Sequence, residues 1–274
     1  LSRLLRYGLP YQANTFLAVV KDDGMTVALG AILGPTGVGL LGWAQKWAQA
    51  PLRFFMDQVI RVTFPAYSRM QDNRDELSRA VSHSIFYISL IVFPMLTILV
   101  VLSSPLTEII PRYEKWQPAL FALTLICINS MFAAVTTPLT NMLNAIGKIT
   151  ITFRLMIMWT ALTWILLPFL AFRYSINGAA LGYALIGTSS ILAIWWARQF
   201  VTIDFASCVV KPLIASISMG MLIFLLGNVV SLNLIGIIVL IFIGIISYII
   251  LLYFIVGKQV LEDLKDIYAT IRKN

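Results

Sequence analysis

The chain has 274 residues, of which 59% are hydrophobic and 12% charged, with a formal net charge of +8. Soluble domains carry about 25% charged residues, so a soluble globular protein is excluded. The apolar residues form stretches of about 20, long enough to cross a hydrocarbon core of about 30 Å, and not the short alternating segments of a membrane β-barrel. The composition predicts an all-α polytopic membrane protein, and the charge gives no indication of nucleic-acid binding.

Turn signals and charged runs divide the chain into eight predicted transmembrane helices. Gly34 and Pro35 end the first helix, and the charged run 68–79 separates the second from the third. Polar segments at 111–118 and 173–178 separate later helices. The predicted spans are residues 7–33, 38–66, 78–104, 117–146, 148–172, 177–200, 208–230 and 234–256.

The distribution of Lys and Arg predicts the orientation of these helices. One set of helix ends carries only Arg112, Lys115 and Arg173. The opposite set carries Arg3, Arg6, Arg69, Arg74, Arg79, Lys148, Arg154, Arg198, Lys211, Lys258, Lys265, Arg272 and Lys273. Because basic residues accumulate on the cytoplasmic side, both termini of the chain are predicted to be cytoplasmic.

Three consecutive charges interrupt the first span in the stretch VVKDDGMTV. Lys21, Asp22 and Asp23 lie roughly 20 Å into the span at 1.5 Å per residue. A charge at that depth costs about 2.5–3.5 kcal/mol, so exposure to lipid is disfavoured. Consecutive residues spread around a regular helix, so either neighbouring helices pair with some of them or the helix opens, for which Gly24 is a candidate break. Asn14 shares the face of Lys21 and extends it.

The second span carries a polar stripe on an otherwise apolar helix. Lys46, Gln49, Arg53, Asp57 and Arg61 fall within about 120° of one another at 100° per residue. Arg53–Asp57 and Asp57–Arg61 both have i,i+4 spacing, so Asp57 is expected to neutralise part of each arginine. Lys46 has no such acidic partner on its own helix.

Two interpretations of these charges are open. In the first, Lys46 and Arg53 form the cationic wall of a water-filled cavity that faces an anionic ligand, with Arg53 at nearly the depth of Lys21. In the second, ion pairs between helices, such as Asp22 or Asp23 with Lys46 or Arg53, only fix the packing. The two can coexist.

Neutral polar groups in the fourth span have two readings as well. Asn141 and Asn144 share a helical face. Amide side chains of this kind suit a sugar ligand, but they also join transmembrane helices by hydrogen bonds. The sequence leaves this choice open.

The sequence contains no set of residues typical of an enzyme. The single His83 cannot form a metal site, and neither a nucleotide-binding loop nor a metalloprotease motif is present. The sequence therefore predicts no catalytic residues, no metal ligands and no cofactor. A membrane transporter is the favoured class.

Four segments resemble a known family in order and spacing. They are LRYGLPYQAN, ILGPTGVGLLGWAQ, RVTFPAYSRMQ and TPLTNMLNAIGK. They resemble the Wzx-type oligosaccharide flippases of the multidrug/oligosaccharidyl-lipid/polysaccharide exporter superfamily. The resemblance covers most of residues 3–200.

The resemblance implies a domain organisation. Family members are similar to two six-helix bundles, often followed by two further helices. The chain is then expected to hold one six-helix bundle, the second of the flippase fold, over 1–203 and two additional helices over 204–256. An amphipathic cytoplasmic tail follows at 257–274, where an apolar stripe predicts a helix along the inner interface. The absence of an initial Met agrees with a missing first bundle.

The resemblance also implies a function. The substrate would be an undecaprenyl-diphosphate-linked oligosaccharide, moved to the outer leaflet of the bacterial cytoplasmic membrane for O-antigen or exopolysaccharide synthesis. Membrane lipids, a polysaccharide polymerase and other glycan-assembly proteins are the expected partners. The predicted cavity residues are Lys21, Lys46, Arg53, Asn14, Gln49, Asn141 and Asn144, and the predicted charge-balancing or ion-coupling residues are Asp22, Asp23 and Asp57.

Two other functions are alternatives. An ion-coupled drug exporter of the same superfamily would move cationic compounds, so it should expose carboxylates, whereas the stripe has three cations and one acid. A membrane scaffold of a glycan-assembly complex would not transport at all. Removing the charges of such a scaffold would impair assembly of the complex but would not affect a translocation step.

Overall fold

The computed structural model describes residues 12–230 and 233–256, and its regular elements there are all helical. The predicted all-α class is confirmed, whereas the predicted tail 257–274 lies outside the described residues. Six helical stretches in the described ranges are long and apolar enough to cross a membrane. The helices are α1 (Gln12–Arg69), α2 (Arg74–Ile109), α3 (Leu120–Ala145), α4 (Ile149–Ser189), α5 (Ile191–Ala197), α6 (Lys211–Gly227) and α7 (Leu234–Val256).

Helix α1 is interrupted at Gly34, where the sequence predicts the end of the first span. Gly34 has φ 68° and ψ 175°, a conformation that glycine adopts without a Cβ penalty. A Cβ atom built on Gly30 would lie 4.0 Å from Cγ2 of Val38, although eight residues of continuous helix span about 12 Å. The chain therefore turns back here, and Pro35 starts the second half of α1 (35–69) as the first residue of a helix.

Helix α4 turns back in the same way at the segment predicted to precede the sixth span. Tyr174 and Ser175 are non-helical, and Ser175 has φ 56°. A Cβ atom on Gly182 would lie 2.9 Å from Cδ1 of Leu167, whereas fifteen residues of continuous helix span about 22 Å. The two halves of α4 therefore pack against each other.

Two apolar clusters hold the helices together. The larger cluster holds the five helices α1, α2, α3, α4 and α5 together. Met25, Ile85 and Leu139 are among its fully buried side chains. The smaller cluster joins α6 and α7 to α2 through Leu102, with Met219 on α6 as a fully buried member. Helices α6 and α7 thus form a separate layer on one side of the bundle.

The segment between α5 and α6 is tied to the bundle at several points. The Thr202 N–H donates a hydrogen bond to Ser78 Oγ on α2 at 3.0 Å, and Val201 is fully buried. Lys148 Nζ lies 5.3 Å from the ring centre of Phe200. These contacts fix the segment that leads into α6.

Asp204 caps the helix that begins at Ala206 and continues into α6. Its Oδ1 accepts hydrogen bonds from the backbone N–H groups of Ala206 (3.1 Å) and Ser207 (3.3 Å). The side chain of Ser207 contributes most, followed by its backbone N–H, to holding the pKa of the Asp204 carboxyl below its usual value.

We expect Asp204→Ala to lower the free energy of unfolding by about 1 kcal/mol, because the helix loses its N-cap. Since the folded pKa is lowered, the charged cap contributes fully above the ordinary Asp pKa of about 3.9 and is lost as the pH falls through the folded value. Thermal unfolding of the purified protein between neutral and acidic pH measures both effects. Asp204→Asn should keep the cap and lose the pH dependence, and a pH dependence retained in that variant would contradict this account.

Helix α7 is joined to a proline position in α2. Pro94 has no N–H, so the carbonyl of Leu90 lacks its usual partner within the helix. The Tyr248 hydroxyl on α7 donates a hydrogen bond of 2.9 Å to this carbonyl oxygen. A helix of the outer layer therefore satisfies a backbone group that the proline leaves unpaired.

We expect Tyr248→Phe to lower the free energy of unfolding by about 0.6–1.7 kcal/mol, the range measured for polar contacts between transmembrane helices. Tyr253→Phe is the matched control, because Tyr253 is on the same helix and exposed. Denaturation in detergent micelles measures the difference. In a Pro94→Ala background, where the helix regains its N–H, the cost of Tyr248→Phe should shrink, and an unchanged cost would refute the role of the freed carbonyl.

Candidate functional site

The turn at Gly34 determines which charged residues lie level with one another. Lys21 lies 13 residues before Gly34 and Lys46 lies 12 residues after it, so both are about 18–20 Å from the turn. Arg53 lies 19 residues after Gly34, about 9 Å beyond that level. The expectation that Arg53 shares the depth of Lys21 is wrong, because counting from the turn places Lys46 there instead.

The three consecutive charges occupy a π-helical turn over Val20–Gly24. Such turns occur mostly as single-turn bulges inside α-helices, and they are frequent at functional sites. Lys21 Nζ contacts Asp22 Oδ1 at 2.7 Å, and Lys21 is 24% exposed while Asp22 is 63% exposed. Gly24 itself is helical, with φ −59° and ψ −40°, so the expected break at Gly24 is wrong: the helix widens at this point and continues.

The second half of α1 presents its charged stripe on an uncovered face. Lys46, Arg53, Asp57 and Arg61 are all exposed. The opposite face is buried in the core through Leu41, Ala44, Ala48 and Met56. Trp47, Phe54 and Val62 are exposed beside the charges, at 42%, 73% and 72%. The uncovered face therefore combines charged groups with large apolar ones.

The ion pairs expected along this stripe do not form. Arg53 Nη2 donates a hydrogen bond of 2.8 Å to Gln49 Oε1, one turn towards the helix N-terminus. Helical side chains lean in that direction, and this explains why Arg53 contacts Gln49 and leaves Asp57. Across residues 12–230 and 233–256, Lys21–Asp22 is the only salt bridge, so Asp57 is not paired and no ion pair links the two halves of α1.

Three residues that the sequence did not single out lie close to the charged turn. The Tyr183 hydroxyl in the second half of α4 lies beside the side chain of Gln45 and within the electrostatic reach of Asp22. A Cβ atom on Gly24 would lie 3.2 Å from the Trp164 ring. Gln45, a polar residue next to Lys46 inside an apolar span, was a usable signal, whereas Tyr183 and Trp164 resemble ordinary core aromatics.

The two asparagines of α3 form hydrogen bonds between helices. Asn141 Nδ2 donates to Thr63 Oγ1 on α1 at 3.0 Å, and Thr152 Oγ1 on α4 donates to Asn144 Oδ1 at 2.6 Å. Asn141 is buried. These contacts favour the helix-joining reading over the sugar-binding one.

Asn14, at the far end of the predicted polar face, is half-buried. Its Oδ1 atom is buried and has no hydrogen-bond partner among the residues the structure describes. An unsatisfied buried carbonyl oxygen is costly, so this atom is available to a donor that the structure does not contain. Within the described residues, no hydrogen bond or ion pair joins Asn14 to the Lys46–Arg61 stripe.

The charges divide into two groups with different chemistry. Lys21 is largely neutralised by Asp22, so this turn presents the carboxylate of Asp23 rather than a free cation. The stripe presents Lys46, Arg53 and Arg61 against a single acid. Charged groups on this face can recognise an anion by charge-assisted hydrogen bonds, provided that water or another protein surface, and not lipid, covers the face.

Comparisons with known proteins find similarity to proteins of polysaccharide biosynthesis. A family model described as polysaccharide biosynthesis protein matches residues 1–121. The lipopolysaccharide biosynthesis protein WzxC of Escherichia coli strain K12 is 27% identical over 150 residues, which cover 55% of this chain and 30% of WzxC. An uncharacterized membrane protein in the cps region of Klebsiella pneumoniae is 25% identical over 170 residues, 62% of this chain and 35% of that protein.

A solved structure shares the fold. The lipid II flippase MurJ in an inward closed conformation superposes with a TM-score of 0.61 at 17% identity, over 84% of this chain and 52% of MurJ. The resemblance to Wzx-type flippases is confirmed. The chain spans about a third of the length of the curated relatives that it matches and about half of MurJ. With its six apolar helical stretches, it is a multi-pass membrane protein.

Proposed function

We propose that this chain forms the second bundle of a flippase that moves an undecaprenyl-diphosphate-linked oligosaccharide from the inner to the outer leaflet of the bacterial cytoplasmic membrane. One observation carries the proposal: the stripe Lys46, Arg53, Asp57 and Arg61 lies on an uncovered face of a membrane helix. Each charge would cost about 2.5–3.5 kcal/mol in lipid. A water-filled cavity shared with a second bundle removes that cost and supplies a reason for the cations.

The proposed topology has eight spans, with both termini in the cytoplasm. The turns at Gly34 and at Tyr174–Ser175 support it, because each divides one long helix into two antiparallel halves. Residues 1–203 would form the six-helix bundle, 204–256 the two additional helices and 257–274 a cytoplasmic tail. The basic residues at one set of helix ends support this orientation.

In the proposed mechanism, the cations balance the charge of the diphosphate. Lys46 and Arg53 bind phosphate oxygens, and Gln49 orients the Arg53 guanidinium through its 2.8 Å hydrogen bond. The glycan occupies the aqueous cavity while the lipid chain stays in the bilayer. The two bundles then rock about the site and open it to the other side.

Carboxylates supply the second half of the proposed cycle. Asp57 lies one turn from Arg53 and is not paired with it in this structure. Asp57 is therefore free to pair with Arg53 or Arg61 at another step of the transport cycle. Asp22 and Asp23 are candidates for the same resetting role or for binding a coupling ion, and a polysaccharide polymerase and other glycan-assembly proteins stay expected partners.

The test uses the full-length protein in proteoliposomes. The outward movement of an undecaprenyl-diphosphate oligosaccharide is compared with that in protein-free liposomes, and the efflux of a cationic dye is followed in parallel. We expect movement of the oligosaccharide and none of the dye. Dye efflux alone would favour the drug exporter, and neither activity in a folded protein would favour the scaffold.

A further inference from the structure

A second feature of the molecule lies away from the charged face. A groove of about 450 Å³ runs between α2, α3 and α6, and none of its lining residues belongs to α1. Its lining is apolar apart from Thr97, Thr124 and Cys127. This volume lies in the range of about 300–1,000 Å³ that is typical of ligand sites. The groove is therefore separate from the proposed cavity and suited to an apolar ligand.

The groove extends along the membrane-spanning helices. On α3 its lining runs from Thr124 to Val135, eleven residues further along the helix, or about 16 Å. At the other side it includes Ile194 and Phe205, at the end of the bundle where α5 stops and α6 begins. Ile217 of the lining is 58% exposed, so the groove is open to the surroundings of the helices. A linear hydrocarbon chain has the shape and polarity of this space.

A cation lies where the groove reaches the end of the bundle. The Arg198 guanidinium carbon lies 4.9 Å from the ring centre of Phe205, which lines the groove. The nearby acid, Asp204, uses its carboxylate as a helix cap. The mouth of the groove thus presents the Arg198 guanidinium to a ligand.

We infer that this groove binds an anionic phospholipid, with one acyl chain along α3 and α6 and the phosphate at Arg198. The apolar lining accounts for the chain, and the cation at one end accounts for a negative head group. The cargo lipid is not the occupant, because no residue of α1, which carries the proposed diphosphate site, lines the groove. The bound phospholipid fills the space between the bundle and α6.

Retention of lipid by the purified full-length protein tests the head-group site. Phosphatidylglycerol and phosphatidylcholine are added separately, and bound lipid is counted by native mass spectrometry. We expect phosphatidylglycerol to be preferred, and Arg198→Ala to weaken its binding about fivefold, the equivalent of about 1 kcal/mol for one cation near an anionic surface. The matched control is Lys148→Ala, which removes a cation stacked on Phe200 that does not line the groove. Equal losses in both variants would reduce the effect to diffuse surface charge and overturn the proposal.

The acyl-chain site has its own matched pair. Ile217→Trp fills the groove, whereas Ile214→Trp adds the same ring to an exposed position of α6 that does not line it. If Ile217→Trp keeps only two methylene groups of the acyl chain out of the groove, phosphatidylglycerol should bind about tenfold more weakly. Ile214→Trp should bind as the unmodified protein does. Binding of phosphatidylcholine equal to that of phosphatidylglycerol, or preferential retention of undecaprenyl phosphate, would overturn the assignment. If Ile217→Trp does not fold, the comparison of Arg198→Ala with Lys148→Ala remains the test.

Discussion

Lys46→Ala and Arg53→Ala are each expected to slow the outward movement of the diphosphate-linked oligosaccharide by at least about tenfold in the full-length protein. A hydrogen bond to a charged group contributes about 1.5–3 kcal/mol, and tenfold corresponds to about 1.4 kcal/mol. Both side chains are exposed on the uncovered face of α1, so truncation leaves no cavity in the core. Proteoliposome flipping assays at matched protein content measure the effect.

Three controls separate charge from packing in this experiment. Lys46→Arg keeps the positive charge and should retain most of the activity. Gln49→Ala removes the partner of Arg53 and should have a smaller effect than Arg53→Ala itself. Arg154→Ala removes an exposed cation of α4 that is not part of the stripe and should have no effect. If Arg154→Ala slowed flipping as much as Arg53→Ala, the stripe would lose its special role.

Gly178→Ala is expected to prevent the chain from reaching a stable fold. A Cβ atom at this position would overlap the carbonyl oxygen of Leu170 and lie 2.9 Å from Cβ of Tyr174. Overpacking typically costs about 1–3 kcal/mol when side chains can move aside. Here the obstacle is backbone on the opposite side of a tight turn, so relief requires the two halves of α4 to separate, and we expect a cost above that range.

Gly42→Ala is the matched control for this prediction. No atom lies within 4 Å of the corresponding Cβ position, and Gly42 is helical. Alanine there should be neutral or stabilise the protein by about 0.5–1 kcal/mol, because glycine is unfavourable inside a helix. Thermal unfolding with size-exclusion profiles of the detergent-solubilised proteins compares the two. Normal stability of Gly178→Ala would mean that the antiparallel arrangement of α4 is wrong.

The sequence predicts the fold well where local chemistry decides it. Gly34 followed by Pro35 allows a turn and a helix start, and the polar segment 173–178 marks the other turn, so both interruptions could be placed from the residues alone. Asn73 likewise accepts hydrogen bonds from the N–H groups of Asp75 and Glu76 and begins α2, close to the predicted boundary. Each signal acts within a few residues, and this explains its reliability.

The sequence predicts the candidate site less well, because side-chain direction and neighbours decide it. Helical spacing alone allows Arg53 to reach either Gln49 or Asp57, and the tilt of the side chain selects Gln49. The stack of Trp116 on Trp43, with ring centres 5.2 Å apart, joins residues far apart in the sequence. Trp116 thus holds the turn before α3 against α1. Helical periodicity in the sequence cannot predict a contact between residues so far apart.

The contact between Lys21 and Asp22 has a consequence for how the chain enters the membrane. The two residues are adjacent, so the pair forms within one helix and needs no other part of the protein. Helices are delivered to the bilayer in order during synthesis, and this one arrives before α2 to α7 exist to shield its charges. A neighbouring counter-charge lowers the free-energy barrier to insertion at that moment. An ion pair between distant helices could not do so, because the second helix does not yet exist. The sequence order of these two residues therefore lets the ion pair form as soon as this helix does.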